Sequence, residues 1–236
     1  MNKPPLVLIG SRALLDFYTD TCEVLGIELL GFLDQYYWGN TESISGVPCI
    51  GSELDLIDNP KKFADAQFMI ATSWDGNTRF ENLEHNGHHL RQQRLKLVED
   101  LQLPCYTLID PRTIVAKNNE IGPGTYIGPM ANIRSRNVIG KHVFIHDNVI
   151  MAHDIHIGDN CILGVNATIM GGVRLGENVY VGTSALLVNG KSTKQPYITV
   201  GDNCKIHAGA LVQKDMDPST TATFVGKYLR RTDLGE

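Results

Sequence analysis

Several things are missing from this chain, and each absence removes a class of protein. Its five cysteines, Cys22, Cys49, Cys105, Cys161 and Cys204, stand singly with no CxxC spacing. No signal peptide precedes Leu6, so a reduced, cytoplasmic setting is expected. No apolar run approaches the roughly 18 residues that span a bilayer, and no transmembrane segment is expected. Positive charge is not in excess: 21 Lys and Arg face 26 Asp and Glu, a net charge of -5. That balance argues against a chain built to coat nucleic acid or an anionic membrane, both of which need clustered Lys and Arg. Small-molecule partners are the expectation.

What is present describes a folded globular protein. Hydrophobic residues make up 42% and charged residues 20% of 236 positions, enough chain for two modest domains with real cores. The first segment reads as strand (Leu6 to Ile9), a helical stretch to Leu25, and a second apolar run (Ile27 to Leu33) ending at Asp34. "VPCIG" (47 to 51), "DLIDNPKKFADA" and "QFMIATS" (67 to 73) continue the alternation, which predicts a small parallel α/β sheet with helices on its faces. Ligands of such sheets bind beyond the carboxyl ends of the strands, where Gly10-Ser11-Arg12, Asp34 and Thr72-Ser73 lie. Residues 74 to 100 read as a polar loop and then an amphipathic helix. His85, His88 and His89 cluster there without Cys or acidic spacing, and a solvated loop leading into a helix is the expectation.

From Ile109 the texture changes. Every sixth residue from Ile109 through Ile127, Ile145, Met151, Ile157, Leu163 and Val181 to Leu187 is aliphatic or Met, fourteen in succession. At this composition chance gives such a run about once in 10⁵, so the period is real. Gly follows in seven cases (122, 128, 140, 158, 164, 176, 182), taken as the place where the backbone turns. Small or β-branched residues such as Ala131, Val149, Ala167, Val173 and Ala185 come four places after the aliphatic. Two inward positions per hexad describe one flat side of a prism-shaped coil, three hexads to the turn. The phase slips in "NGKSTKQPYIT" (189 to 199), one residue beyond two full hexads, which predicts a polar loop projecting from a corner. The period is then lost in a tail expected to cap the open end. The expected divisions are an α/β domain over 1–105, a coil over 106–217 and a capping tail over 218–236.

Within the coil stands "MAHDIHIGDN", whose His153-Asp154 pair the repeat does not require. The run of [I/L/V]-G-x-x-x-x hexads resembles the left-handed β-helix of hexapeptide-repeat acyltransferases. A preceding α/β domain with "GFLDQ" and "VPCIG", and "HDIHIGDN" in the coil, is similar to the bacterial nucleotide-sugar N-acyltransferases and the related sialic acid O-acetyltransferases. The resemblance implies a Rossmann-like first domain followed by a left-handed parallel β-helix. It also implies that His153, in the motif H-[DE]-x-x-I-G, is the general base for a sugar amine or hydroxyl, with Asp154 orienting its ring. An imidazole titrates near neutral pH and so suits that task. The family usually carries Asn-Thr seven and six residues before this His; here those positions are His146-Asp147. His146 is left open as an aid to His153, its replacement, or a determinant of acceptor choice. His142, His156 and His207 lack the motif, and His142 and His207 are expected at the surface or on a ligand rim. Cys161 occupies an inward place in its hexad and is expected to be a buried small hydrophobe.

By the same resemblance acetyl-CoA is the acyl donor, lined by Gly164, Gly171, Gly182 and Ala185. The nucleotide part of the acceptor would sit on the first domain at Gly10, Arg12 and Asp34, with His146 also in the substrate-binding set. The family's G-x-x-G-H turn is reduced to "GSRALL", Leu14 standing where the His would be; Arg12 either pairs with a diphosphate or is an ordinary surface residue. No metal is expected: zinc-dependent coils of this shape need a His far upstream of a close pair, and no His lies between His89 and His142. The resemblance therefore implies a cytoplasmic homotrimeric transferase of surface polysaccharide biosynthesis. It would move acetyl directly from acetyl-CoA to the amine of a nucleotide-linked amino sugar. The alternatives are O-acetylation of a free or activated sugar, and a non-catalytic sugar-nucleotide-binding scaffold.

Overall fold

The computed structural model describes residues 3–10, 15–40, 42–72, 87–189 and 197–224. Its first part is a five-stranded sheet. The strands β1 (Leu6–Ile9), β2 (Leu29–Leu33), β3 (Ser43–Ile44), β4 (Val47–Gly51) and β5 (Gln67–Ile70) lie in the order β3-β4-β2-β1-β5. The pairs β1–β2, β1–β5 and β2–β4 are parallel. All four residues of β1 are buried, as a central parallel strand covered on both faces requires. The short β3 was not expected; it pairs antiparallel with β4 through Ser45-Gly46, both at positive φ, a tight hairpin turn. Helices α1 (Leu15–Leu25), α2 (Leu54–Asp58) and α3 (Gly87–Asp100) pack about the sheet.

The second part is a parallel β-helix of two-residue strands on three faces. One face starts at Leu108–Ile109, the second at Ile114–Val115 and the third at Glu120–Ile121. The predicted aliphatic column is the second residue of each strand. Up to Ile169 each pairs with the residue eighteen places on, as Ile133 with Met151, Ile139 with Ile157 and Ile145 with Leu163. Leu175, Val181 and Leu187 pair across the insertion with Val200, Ile206 and Val212. These side chains and the residues four places later, Ala131, Val149, Ala167, Val173 and Ala185 among them, form one continuous core.

Two details of the repeat differ from the sequence reading. The glycine after each aliphatic is not where the chain turns: Gly122, Gly140, Gly158, Gly164, Gly176 and Gly182 have no positive φ, whereas the residue two places later commonly does. Asn148, Asp154, Asn160, Asn166 and Asn178 hold that left-handed corner, which asparagine and aspartate tolerate best. The glycines are there because successive coils touch: a Cβ on Gly164 would lie 2.8 Å from Thr183 N, and one on Gly122 2.6 Å from Gly140 C. The slip after Leu187 is also one hexad plus seven inserted residues rather than two hexads plus one. Arg174 pairs with Thr199, the next strand on its face, so Leu187 to Val200 advances a single face. The coil runs past the expected boundary at 217, since Thr221–Ala222 pairs with Lys205–Ile206. Residues 225–236 lie outside the described set.

The first face is covered by α1. Outward-pointing Tyr126, Phe144 and Ile162 are buried with Tyr18 and Cys22, and the Tyr126 and Phe144 rings stack at 4.7 Å. Helix α3 closes the third corner through Arg91, which is 2% exposed. Its guanidinium donates to Asn160 Oδ1 at 2.5 Å, Thr72 O at 2.9 Å and His142 O at 2.6 Å, tying the end of β5 to two coils at once. Burial lowers the Arg91 pKa to about 10, an expected cost of desolvating a cation. Among the described residues, no helix is long and apolar enough to cross a membrane. Replacing Arg91 with Leu strips three buried acceptors of their donor and is expected to destabilise the chain by about 3 kcal/mol in urea unfolding. Lys96→Ala on the exposed side of the same helix is expected to change stability by less than about 0.5 kcal/mol; equal effects would remove Arg91 as the clamp.

Candidate functional site

The corner between the second and third faces carries the His-Asp pair. Because one turn is eighteen residues, Arg136 lies over Asp154 and Gly171 over His153. Arg136 donates two hydrogen bonds to Asp154, Nε to Oδ1 and Nη2 to Oδ2, each 2.7 Å. This bidentate pairing, with the His153 contact second, holds the Asp154 carboxyl well below the usual carboxylate range. An ionised Asp154 accepts only, so His153 Nδ1–H donates to its Oδ2 at 2.6 Å. The Nε2 lone pair is thereby left at the far edge of the ring, beside Gly171. A Cβ at Gly171 would stand 2.9 Å from His153 Cε1 and 3.1 Å from Nε2, so glycine there is a condition of the ring's position.

This ring opens into a cavity of about 480 Å³, whose lining includes Arg136, Gly171, Gly172, Arg174, Asn189 and Tyr197. The arrangement places an imidazole, held by a carboxylate, at the mouth of a pocket of small-molecule size. Sequence reasoning missed Arg136, Arg174, Asn189 and Tyr197. The first was findable: residue 136 is eighteen before 154, one turn of a period already in hand.

The other predicted residues gather elsewhere. Gly164 and Gly182 stack with His146 at the corner between the first and second faces, not with His153. Both glycines are buried in the ladder, donating to Val181 O and Ile206 O. The side chain of Ala185 is fully buried inside the coil; its N–H donates to Gly182 O and its carbonyl accepts from Thr168 N. His146 is wedged edge-on between Phe17 and Phe144, at 4.9 and 4.6 Å, and lines no part of the His153 cavity. His142 is 7% exposed but lines a second cavity, of about 380 Å³, so of its two expected places it holds a cavity rim rather than open surface, whereas His207 is exposed. Cys161 is fully buried as expected; burial drives its thiol up to about 12, which removes it as a nucleophile.

At the strand ends of the first domain, Asp34 is 1% exposed and ion-paired with Arg94 at 3.0 Å. Arg94 also donates to Glu53 Oε1 at 2.7 Å and Thr72 Oγ1 at 2.6 Å. Gly10 does adopt positive φ, but a Cβ on it would collide with Thr72 Oγ1 and the Arg94 guanidinium. Arg12 lies outside the described residues, as does His85. His89 is exposed and hydrogen-bonded to Gln93 at 2.9 Å.

Comparison with known proteins fits this geometry. The model for bacterial transferase hexapeptide (six repeats) matches residues 138–171 and 156–189, and that for the hexapeptide repeat of succinyl-transferase matches 198–214. The chain resembles hexapeptide-repeat sugar acetyltransferases. A His-to-Asn variant of perosamine N-acetyltransferase from Caulobacter crescentus, solved with CoA and GDP-perosamine, is 21% identical with a TM-score of 0.76, over 94% of this chain and 97% of that one. WeeI from Acinetobacter baumannii AYE is 20% identical, TM-score 0.76, covering 94% and 99%. The acetyltransferase domain of PglB from Neisseria gonorrhoeae FA1090 is 21% identical, TM-score 0.64, covering 94% and 100%. These likenesses describe the fold of both parts of the chain. No curated protein gives a significant match.

Burial lowers the pKa of both His142 and His146 to about 4, with Arg91 adding to the effect on His142. In the unfolded chain each takes up a proton near pH 6.5. Between those values the unfolded state binds more protons, so this stability is complete above about pH 6.5 and is lost as pH falls towards 4. Unfolding free energies from urea titration are expected to drop between pH 7 and 4.5 by an amount on the order of 2 kcal/mol per ring. His146→Leu and His142→Asn should each flatten that slope; slopes parallel to the parent's would contradict the assignment.

Proposed function

We propose that this chain is an acyl-CoA-dependent sugar acetyltransferase that moves an acetyl group directly from acetyl-CoA to a sugar amine, with His153 as general base. The observation that carries the reading is the Arg136–Asp154–His153 relay, which leaves Nε2 unprotonated at the edge of the cavity. The acceptor nitrogen, as its neutral amine, attacks the thioester carbonyl carbon. The C–N bond forms, the proton it sheds passes to His153 Nε2, and the C–S bond breaks to release CoA, which takes up that proton as its thiol. Asp154 keeps Nδ1 protonated and stabilises the imidazolium that forms. Gly171 and Gly172 leave the cavity wall open where an acyl chain must pass, which fits acetyl-CoA as the donor. No acyl-enzyme is needed, and the buried thiol of Cys161 supplies none.

The fold shared with enzymes crystallised with CoA and GDP-perosamine supports a left-handed coil, a Rossmann-like first domain and a nucleotide-linked amino sugar as acceptor. The second reading, O-acetylation of a free or activated sugar, is favoured by the reduced turn "GSRALL" after β1. A role in surface polysaccharide assembly, in the cytoplasm, fits either acceptor. The active form is proposed to be a homotrimer. The second face ends at the His153 corner and exposes Ile114, Ile150, Leu186 and Leu211, interleaved with Asn132 and Thr168, a surface that a second copy would cover.

Two measurements test this. Thiol release from acetyl-CoA is expected on at least one member of a panel of UDP-, dTDP- and GDP-linked amino sugars and free amino sugars. His153→Ala should lower kcat/KM by roughly 10²- to 10⁴-fold, and Gly171→Ala, which crowds the ring, by about 10²-fold. Undiminished turnover in His153→Ala would overturn the base assignment, and no turnover on any member would shift the reading to O-acetylation or to a non-catalytic scaffold. Light scattering should give three times the 26.1 kDa chain mass; a monomer mass would overturn the trimer.

A further inference from the structure

The His153 cavity carries a positive charge that nothing in its wall balances. Of its two arginines, Arg136 is neutralised by Asp154 through two 2.7 Å hydrogen bonds. Arg174 has no ion pair among the described residues; its guanidinium carbon lies 4.3 Å from the centre of the Tyr197 ring, a stacking contact that orients the group without neutralising it. Of the acids on its own face, Asp215 lies two rungs away with its Oδ1 accepting from Thr199 N, and Glu120 lies three rungs the other way; neither lines the cavity. The segment 190–196, between Asn189 and Tyr197, contains two lysines and no acid.

We infer that Arg174 reads an anionic group on the acceptor, so that the sugar acetylated here bears a carboxylate or phosphoryl group close to the reacting amine or hydroxyl. A guanidinium offers two parallel N–H donors to a pair of oxygens on one centre, and stacking on Tyr197 removes much of the rotamer freedom that an exposed arginine would lose on binding. The inference rests on the reading of this cavity as the acceptor site. It goes beyond that reading by naming the charge and the residue that selects it.

Calorimetric titration of the whole chain with D-glucuronate, glucosamine 1-phosphate and glucose tests it. At least one anionic probe is expected to bind tenfold or more tightly than glucose, with Arg174→Gln losing most of that preference and Arg174→Lys keeping part. Preference for the first probe identifies a carboxylate, and for the second a phosphoryl group. Equal binding of glucose, no binding of either anion, or anion binding unchanged in Arg174→Gln would overturn the proposal. So would a variant weakened only for CoA, since the charge would then serve the donor's phosphates. Anion binding that depends on Arg174 in a chain that releases no thiol from acetyl-CoA would instead sink the transferase reading and leave this one standing.

Discussion

A turn of eighteen residues obliges each side chain of the coil to sit beside the one eighteen positions earlier, and the site is a product of that stacking. Arg136 meets Asp154, and Gly171 meets His153, because each pair is one turn apart. The same rule packs Ile133 on Met151 and Val149 on Ala167 in the core. A chain held this way has few soft degrees of freedom near the base, which is what a positioned proton acceptor requires. The corner residue has a double duty. Asp154 sits at φ 57°, where Asp and Asn are tolerated, and its carboxylate is thereby aimed at the ring of its neighbour. The repeat does not need a histidine there, yet it supplies the geometry that makes one useful.

Two histidines on the preceding turn, His142 and His146, show how environment separates like residues. His146 lies in an aromatic wedge under α1 and His142 beneath the α3 clamp, and burial keeps both neutral. His153 projects from a corner with one side against glycine and the other against a carboxylate. Which corner each residue occupies, a consequence of phase within the hexad, therefore decides which histidine is buried and which faces the cavity.

The first domain has a different emphasis from the one its sequence suggested. Its strand ends hold a closed polar network, Arg94 with Asp34, Glu53 and Thr72, and one turn earlier on the same helix Arg91 reaches into the coil. Helix α3 thus links the sheet to the coil through arginines three positions apart on one face.

The period, the strands and the buried fifth position were legible in the sequence because each is a repeated choice between apolar and polar residues. So was the His-Asp pair, through its resemblance to a family motif. What could not be read were partners brought in from far along the chain: Arg91 and Arg94 look like solvated helix residues until the helix is docked, and Tyr197 follows an insertion that hides which face it joins. The glycine rule was misassigned because a glycine excluded by contact between coils and one required by positive φ leave the same letter. The central claim is that acetyl transfer occurs at the His153 corner, and a crystal structure with CoA tests it most directly. The account predicts the CoA sulfur in the His153 cavity, within about 3–4 Å of Nε2 or of an acceptor atom that Nε2 can reach. A sulfur held at the His146 corner, against Gly164 and Gly182, would contradict it.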